Sequence, residues 1–565
     1  MDNYFVSSCK RVKDWICRQF GQKEKKTVHH KKLADGGEVI VWETGRAGEE
    51  AASYENLFLR KEIAGFRTNI RREQSCSIKS LTRDYLYKQL LSSGEYTFDH
   101  MLVIKDPYGE APLTALALFI LEEPARVRVT TKGNLKETDF VTELPKKKEH
   151  RVPILGMYAE KANDIVIEIL DDEGNCVKSH TFTIRTKRLP KSLRNVITVK
   201  KWTDKPAYSN IMINGGVKIH TCVFDIEGKI RYYLSRKPRG YGIFPLSDGH
   251  FFYMEKYISV PSYSNPQTVE SYDMDYFGRV FRTYLTEKGV HHTAEEKAGG
   301  NILTGSNSML EHTEDCVIEI DRQTGEIVWQ LNMAEIFDET YQNMMDWCHV
   351  NSAAYYEKDR TILISLRNVH AVICVDYDTK KLRWILSDPK FWEGTKMTPY
   401  LLQPEGDVKW CYQQHAAFEI ALPDESNPQK KRIIVYDNHW AKRRKAKSFD
   451  KDPLSYVSFY DIDEEKKTVS LHKRFAGPKT RIRANGIYVP DKKRVYNMAG
   501  SYAEPVDGDG GGIFEYDYET GEVLSEFGVK PGFFRAYPFE PNVQELAEPM
   551  QVTGDYQVGQ IKQPK

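Results

Sequence analysis

Apolar and polar positions alternate over most of this chain, and one unit of that alternation keeps returning. An apolar run reaches an Asp, a short polar turn usually containing Gly follows, and a second apolar run leads away. The unit reads CVFDIEGKIRYYL around Asp225, SYDMDYFGRVFRTYL around Asp275 and CVIEIDRQTGEIVWQL around Asp321. It returns as AVICVDYDTKKLRWIL around Asp376, SFYDIDEEKKTVSLHKRF around Asp461 and IFEYDYETGEVLSEFG around Asp517. Each copy predicts a β-hairpin, with Asp as a side-chain acceptor and Gly where the turn needs a positive φ. Neighbouring copies stand about 50, 46, 55, 85 and 56 residues apart. Four of these spacings suit a four-stranded propeller blade, whose repeats run roughly 40–50 residues. The longest gap contains DESNPQKKR and AKRRKAKSFDK, which read as loop insertions. Six copies predict a six-bladed β-propeller over residues 191–565. A β-sandwich has no reason to repeat a whole hairpin at this period.

Upstream, LALFILEE, ARVRVTTKG, NDIVIEILDD and SHTFTIRTKR are short β-rich runs at sandwich-like spacing. The fold class expected is therefore all-β, a six-bladed β-propeller preceded by a small β-sandwich over 76–190. Residues 1–75 are charged and mixed in pattern, and read as an N-terminal extension. Within it Phe5, Cys9, Val12, Ile16 and Phe20 fall on one face of a helix, with Lys10, Arg11, Lys13 and Arg18 on or near the other. Such a helix suits docking on its own protein or on a second subunit, as a dimerisation arm, better than contact with a membrane.

Length and charge narrow the classes. A chain of 565 residues exceeds what one core usually supports, so two or more domains are expected. Lys and Arg total 81 against 80 Asp and Glu, which lacks the basic excess of a protein that coats nucleic acid. The nine cysteines are scattered without a CxxC pair, the N-terminus has no apolar signal region, and no apolar run approaches a membrane span. A cytoplasmic protein with unpaired thiols is expected.

Candidate chemistry comes from the segments that precede the hairpins and would supply the strands nearest the propeller axis. VHHTAEEKAGGNILTGSNS, CHVNSAAYYEKDRTILISLRN and QHAAFEIALPDESNPQKKRIIVYDNH each carry His near the start of a strand pair: His291 or His292, then His349, then His415. Equivalent positions of successive blades lie around one ring, so the shared register points to a common site. Arg367, in ISLRN, can turn toward the same ring, whereas His370 and His439 read as structural. Three histidines and an arginine suit a three-histidine metal site, acid–base work in a lyase or hydrolase, or transfer of an anionic group. The arginine favours the last, because a cation is repelled by a divalent metal and attracted by a sulfuryl or phosphoryl group.

At these residues the chain resembles the bacterial aryl-sulfate sulfotransferases that use no nucleotide sulfate donor. The matching stretches are VHHTAEE, DWCHVNSAAYYEKDRTILISLRN, QQHAAF with IIVYDN, and FRAYPFEP, with DPYGEAPLTALALFI, VPILGMYAE and HTFTIRT upstream. The resemblance spans roughly residues 76–545. It implies ping-pong transfer of a sulfuryl group from a phenolic sulfate ester to a phenol through a sulfohistidine. It implies His415 as the nucleophile, with His349, Arg367 and one of His291 and His292, here His292, holding the sulfuryl oxygens and handling the phenolic proton. Asn351 in HVNS and Tyr537 in RAYPFEP are implied to contact substrate. No metal or other cofactor is implied, and the chain shows no GxxxxGK[ST] loop for a nucleotide. Well-studied relatives are exported and carry a structural disulfide, from which this chain departs. Two rivals come from other classes. DRQTGEIVW and DTKKLRWIL resemble the tryptophan-docking repeats of quinoprotein dehydrogenases, but only Trp329 and Trp384 take that position and no Cys-Cys pair exists. A non-catalytic scaffold propeller would not need His in register across three segments.

Overall fold

The computed structural model describes residues 28–51, 76–203, 205–216, 218–236, 241–258, 267–308, 312–422, 427, 429–440, 452–550 and 554–557. The amphipathic pattern of residues 5–20 lies outside them. The chain is mostly β, with its sheets in a propeller-like arrangement. Among the described residues no helix is long and apolar enough to cross a membrane. The seven described cysteines are free.

The N-terminal part is one seven-stranded sheet built on a long hairpin, Ala115–Thr131 with Phe140–Ile154. The register of that hairpin shifts between Ile120 and Val127. Before the shift, Ala115–Leu118 pairs with the strand His100–Lys105; after it, Arg126–Thr131 pairs with Ala162–Leu170. Residues 28–42, read above as part of an extension, add the strands Val28–Lys32 and Glu38–Trp42 to the edge beside His100–Lys105. One helix, Cys76–Ser92, departs from the β-only expectation for 76–190. Its buried face includes Ser80, Thr82 and Asp84, so no clean apolar stripe at helical spacing marks it in the sequence. Asp84 is buried there because Arg151 meets it at 2.5 Å and the Tyr108 hydroxyl donates to it at 2.7 Å.

Five further sheets follow. Four hold four or five strands each, and one is eight-stranded. The eight-stranded sheet continues through a single 17-residue strand, Val280–Glu296. Its first half pairs with Gln267–Met274 and its second with Ile302–Ser306, with a bulge between His291 and Ala294. The strand Arg535–Pro538 pairs with Asn210–Asn214, Gly511–Asp517 and Val523–Val529 share their sheet with Ile197–Lys201, and Gly554–Gln557 adds in parallel to Val280–Glu296. The two ends of the propeller region are thereby stitched together.

The hairpin turns have the chemistry their sequence predicts. Asp275 Oδ1 accepts from the backbone N–H groups of Phe277 and Arg279, and Asp517 Oδ1 from those of Glu519 and Thr520. In the fifth copy the turn acceptor is Asp463, which takes the Lys466 N–H. Asp461 stays in its strand and binds Arg432 through two charge-assisted bonds of 2.6 and 2.8 Å. The two hairpin tryptophans join neighbouring sheets: Trp329 Nε1 donates to Tyr377 O and Trp384 Nε1 to Glu464 Oε1.

Candidate active site

Edge strands of four sheets begin at a common kind of backbone position. Gly242, His349, Ala416 and Arg483 immediately precede or open the strands Gly242–Pro245, Val350–Tyr356, Ala417–Ile420 and Ala484–Val489, with φ of +79°, +56°, +113° and +62°. His292 takes φ +58° in the bulge of the 17-residue strand. A left-handed conformation costs a residue with a Cβ roughly 1–2 kcal/mol. Its recurrence at one register marks a place where the fold spends stability on aiming side chains. The rings of His292 and His349 have centroids 4.7 Å apart, and those of His292 and His415 are 6.0 Å apart. All three are buried. His291 is wholly buried behind His292, and a Cβ on Gly305, its cross-strand partner, would lie 2.5 Å from the His291 ring.

Hydrogen bonds to carbonyls fix which ring nitrogen carries hydrogen, because a carbonyl oxygen can only accept. His291 Nε2 stands 3.0 Å from Ser306 O and therefore donates. Burial lowers the pKa of His291, so its Nδ1 is left as an acceptor. His292 Nδ1, 3.2 Å away, then donates to it, which leaves the lone pair of His292 on Nε2. His415 Nδ1 lies 2.8 Å from Ala484 O and 3.2 Å from the Ala484 N–H. The N–H contact would suit a lone pair on Nδ1 and the carbonyl contact a proton; the carbonyl contact is shorter by 0.4 Å and the stronger of the two. The proton belongs on Nδ1, and Nε2 of His415 carries the free lone pair.

Electrostatics separates the three rings. Burial, then the charge of Arg535, holds the pKa of His415 well below its ordinary value, with Arg367 and His349 acting in the same direction. Burial and the neighbouring histidines do the same to His292. His349 goes the other way. Burial opposes its charge, but Asp346 and Glu314 outweigh burial and raise its pKa to about 9. Its Nδ1 lies 2.6 Å from Glu314 Oε2 and 3.0 Å from both Asp346 oxygens. At neutral pH the site thus holds one imidazolium, with an Nε2–H to donate, beside two neutral imidazoles with Nε2 lone pairs.

Two guanidiniums complete it. Arg367 donates to Gln413 Oε1 and Asn368 Oδ1, both at 3.1 Å, and its charge acts on His415, two residues beyond Gln413. Gln413 itself is held by His370, whose Nδ1 accepts the Gln413 N–H. Arg535 is 1% exposed, donates to Asn351 O at 2.8 Å and pairs with Glu295 at 3.6 Å. Asn351 Nδ2 donates to Gln414 O, next to His415, while its Oδ1 is buried and takes no hydrogen bond from the protein. Tyr537 is half-buried beside Arg535, and burial raises its hydroxyl pKa to about 12. Tyr241 and Phe534 form an aromatic wall, 4.5 and 6.0 Å from the His292 ring and 5.3 Å from each other.

A profile described as Arylsulfotransferase (ASST) matches residues 195–535, more than half of the sequence. The chain belongs to the arylsulfotransferase family. The arylsulfotransferase match takes in His291, His292, His349, Asn351, Arg367 and His415 and ends at Arg535, two residues short of Tyr537. A second profile, the Arylsulfotransferase Ig-like domain, covers residues 102–187, within the seven-stranded sheet. Two arylsulfate sulfotransferases are similar over most of their length. That of Lelliottia amnigena is 22% identical over 563 residues, spanning 76% of this chain and 90% of that protein. That of Escherichia coli O6:H1 is 23% identical over 566 residues, with the same shares. Among solved structures, hydrazine synthase of Kuenenia stuttgartiensis is 12% identical with a TM-score of 0.30, covering 50% of this chain and 64% of that one. A likeness that low carries no argument about this arylsulfotransferase.

The structure gathers the four sequence-selected histidines, Arg367, Asn351 and Tyr537 around one place, and puts His439 elsewhere, on Asp437 at 2.8 Å. Sequence reasoning passed over Glu314, Asp346, Tyr241, Phe534 and Arg535. Asp346 stands three residues before His349 and Arg535 lies inside the quoted FRAYPFEP stretch, so both were within reach. Glu314 and Tyr241 lie in segments with no recurring pattern.

Proposed function

We infer that this protein transfers a sulfuryl group from a phenolic sulfate ester to a phenol, without a nucleotide donor and through a sulfated His415. One observation carries the reading: a neutral imidazole with a free Nε2 lone pair faces an imidazolium of opposite readiness, with two arginines beside them. His415 Nε2 attacks sulfur, a bond forms between nitrogen and sulfur, and the bond from sulfur to the aryl oxygen breaks. His349 gives its Nε2 proton to the departing phenoxide. Arg367 and Arg535 are the cations available to the sulfuryl oxygens, where one pre-placed donor is worth about 3–4 kcal/mol. In the second half the acceptor phenol returns a proton to His349, its oxygen bonds to sulfur, and His415 is freed. The Nε2 lone pair of His292 accepts the hydroxyl hydrogen bond as the phenol docks, and the hydroxyl then turns to His349 before its oxygen bonds to sulfur.

The same scaffold reading treats the eight-stranded sheet as two blades joined through the bulged strand Val280–Glu296, giving a six-bladed propeller. It treats the shifted hairpin of the N-terminal sheet as the fold line of a small sandwich.

Incubated with 4-nitrophenyl sulfate alone, the protein should release about one equivalent of 4-nitrophenolate and retain one acid-labile sulfate on the peptide containing His415. Added phenol should convert the burst into steady release. No acceptor-dependent release from folded protein would overturn the assignment. A second reading has its own support: Nδ1 of His291 and His292 lies close to Glu314, and Glu314 and Asp346 close to His349, in groups able to hold a metal ion. A stoichiometric transition ion in the purified protein, with activity lost on chelation, would favour it.

A further inference from the structure

Arg483 stands at the same left-handed register as His292 and His349, with φ +62°, immediately before Ala484, whose backbone brackets His415. Its carbonyl is occupied, accepting the Gly500 N–H. Its side chain is half-buried and, among the described residues, makes no hydrogen bond or ion pair. Arg83 and Arg126, also half-buried and without a carboxylate, are at least held by backbone carbonyls, at 3.1 Å and at 2.8 and 3.0 Å. Arg151, Arg231, Arg279, Arg322 and Arg432 each hold a carboxylate at 2.5–2.9 Å. An arginine left without a counter-charge at a site rim is a waiting partner for a planar anion.

Its position separates it from the transfer step. Arg535 and Arg367 are the guanidiniums that act most strongly on His415. Arg483 acts instead on the Tyr241 hydroxyl, on the aromatic wall beside His292. Burial pulls its pKa below the usual arginine value. Lys218 is exposed and, among the described residues, bonds the Pro531 carbonyl at 3.3 Å; burial and the nearby Arg483 guanidinium lower its pKa. Two cations with no carboxylate partner among the described residues therefore stand beside the segment 531–534 that carries Phe534: Lys218 donates to Pro531 O, and Gly500, whose N–H bonds Arg483 O, accepts the Phe533 N–H.

We propose that Arg483 and Lys218 form a cationic rim that binds a second anionic group, a carboxylate, on the aromatic substrate. The sulfuryl end reaches His415 while the aryl ring lies along Tyr241 and Phe534, and the far carboxylate meets Arg483. The chain is thereby selective for acidic phenols and their sulfates. This inference rests on the aryl-sulfate reading of the site.

The experiment compares 4-hydroxyphenylacetate with 4-methylphenol as acceptors, because their hydroxyls are similar in acidity and only one carries a carboxylate. With 4-nitrophenyl sulfate as donor, wild-type kcat/KM should favour 4-hydroxyphenylacetate, mainly through KM. Arg483→Gln should cut that preference at least tenfold, Arg483→Lys should keep part of it, and Lys218→Gln should reduce it less. An unchanged ratio, including equal losses on both acceptors, overturns the proposal. Calorimetric binding of phenylacetate, which has no hydroxyl to sulfate, reads the rim without turnover. Saturable binding to wild type, weakened at least tenfold in Arg483→Gln, supports it even if no transfer is seen; equal binding to both proteins overturns it.

Discussion

Two buried histidines in this protein meet opposite surroundings. His250 lies 2.6 Å from Asp273, with Glu545 and Asp248 nearby, while Arg282 and Arg322 crowd onto the same Asp273 at 2.6 and 2.8 Å. Burial opposes the charge of His250, but these carboxylates raise its pKa to about 10. His415 is buried to a similar degree, yet its ring is bonded only to the Ala484 backbone and faces arginines. The first histidine is held charged to neutralise a joint between strands. The second is kept uncharged, as the nucleophilic role proposed for it requires. The fold supplies carboxylates where a cation must stay and withholds them where a lone pair is needed. His349 is the deliberate exception inside the site, since its work requires a proton.

That contrast can be broken by mutation, and the largest effect is expected at the reactive ring. His415→Asn keeps an N–H for Ala484 O but removes Nε2. Steady-state release of 4-nitrophenolate should fall at least about a thousandfold, with little change in the urea midpoint. Asp273→Asn should do the converse. It strands Arg282, Arg322 and His250 without their shared carboxylate and should cost about 3–5 kcal/mol in urea unfolding. The rate per folded molecule should change far less than in His415→Asn. If Asp273→Asn crippled transfer in fully folded protein, the division between structural and reactive histidines would fail.

The smallest effect is a shift along the pH axis. In the proposed mechanism His349 gives its proton to the phenoxide, so turnover should fall as pH rises through about 9. His415 must be unprotonated, and its lowered pKa places the acid limb below 6.5, the ordinary histidine value. Glu314→Gln removes one of the two carboxylates that hold up the His349 pKa. The alkaline limb should move at least about one unit toward neutrality, while the acid limb stays. A pH–rate series on both proteins reads this directly. The stability carried by His250 and His349 has the same sign, being complete below the unfolded pKa near 6.5 and lost as pH rises through about 9 to 10.

How far the sequence reveals these features depends on whether they repeat. The hairpins were readable because turn chemistry recurs, and the histidines because three of them share a register. Asp461 was misread as a turn residue because a run containing both Asp461 and Asp463 offers two candidate acceptors, and only strand register chooses between them. The helix Cys76–Ser92 hid because Asp84 is buried by a partner 67 residues away, a contact that no local pattern encodes. The same holds for Glu314 and Tyr241, which reach the site through packing between sheets. Arg535 lies in FRAYPFEP, but a single arginine there shares no register with the three histidines, and only the pairing with Asn210–Asn214 brings it to Asn351.

The pairing of Arg535–Pro538 with Asn210–Asn214 has a consequence in time. Phe534 and Arg535 stand against His292, His415 and Asn351, yet they leave the ribosome long after those residues. At roughly 5–20 residues per second, the first histidines wait on the order of tens of seconds for the last strand. A nascent chain that has not yet made Arg535 therefore holds His415 without the aromatic ring and the guanidinium that stand by it in the folded protein.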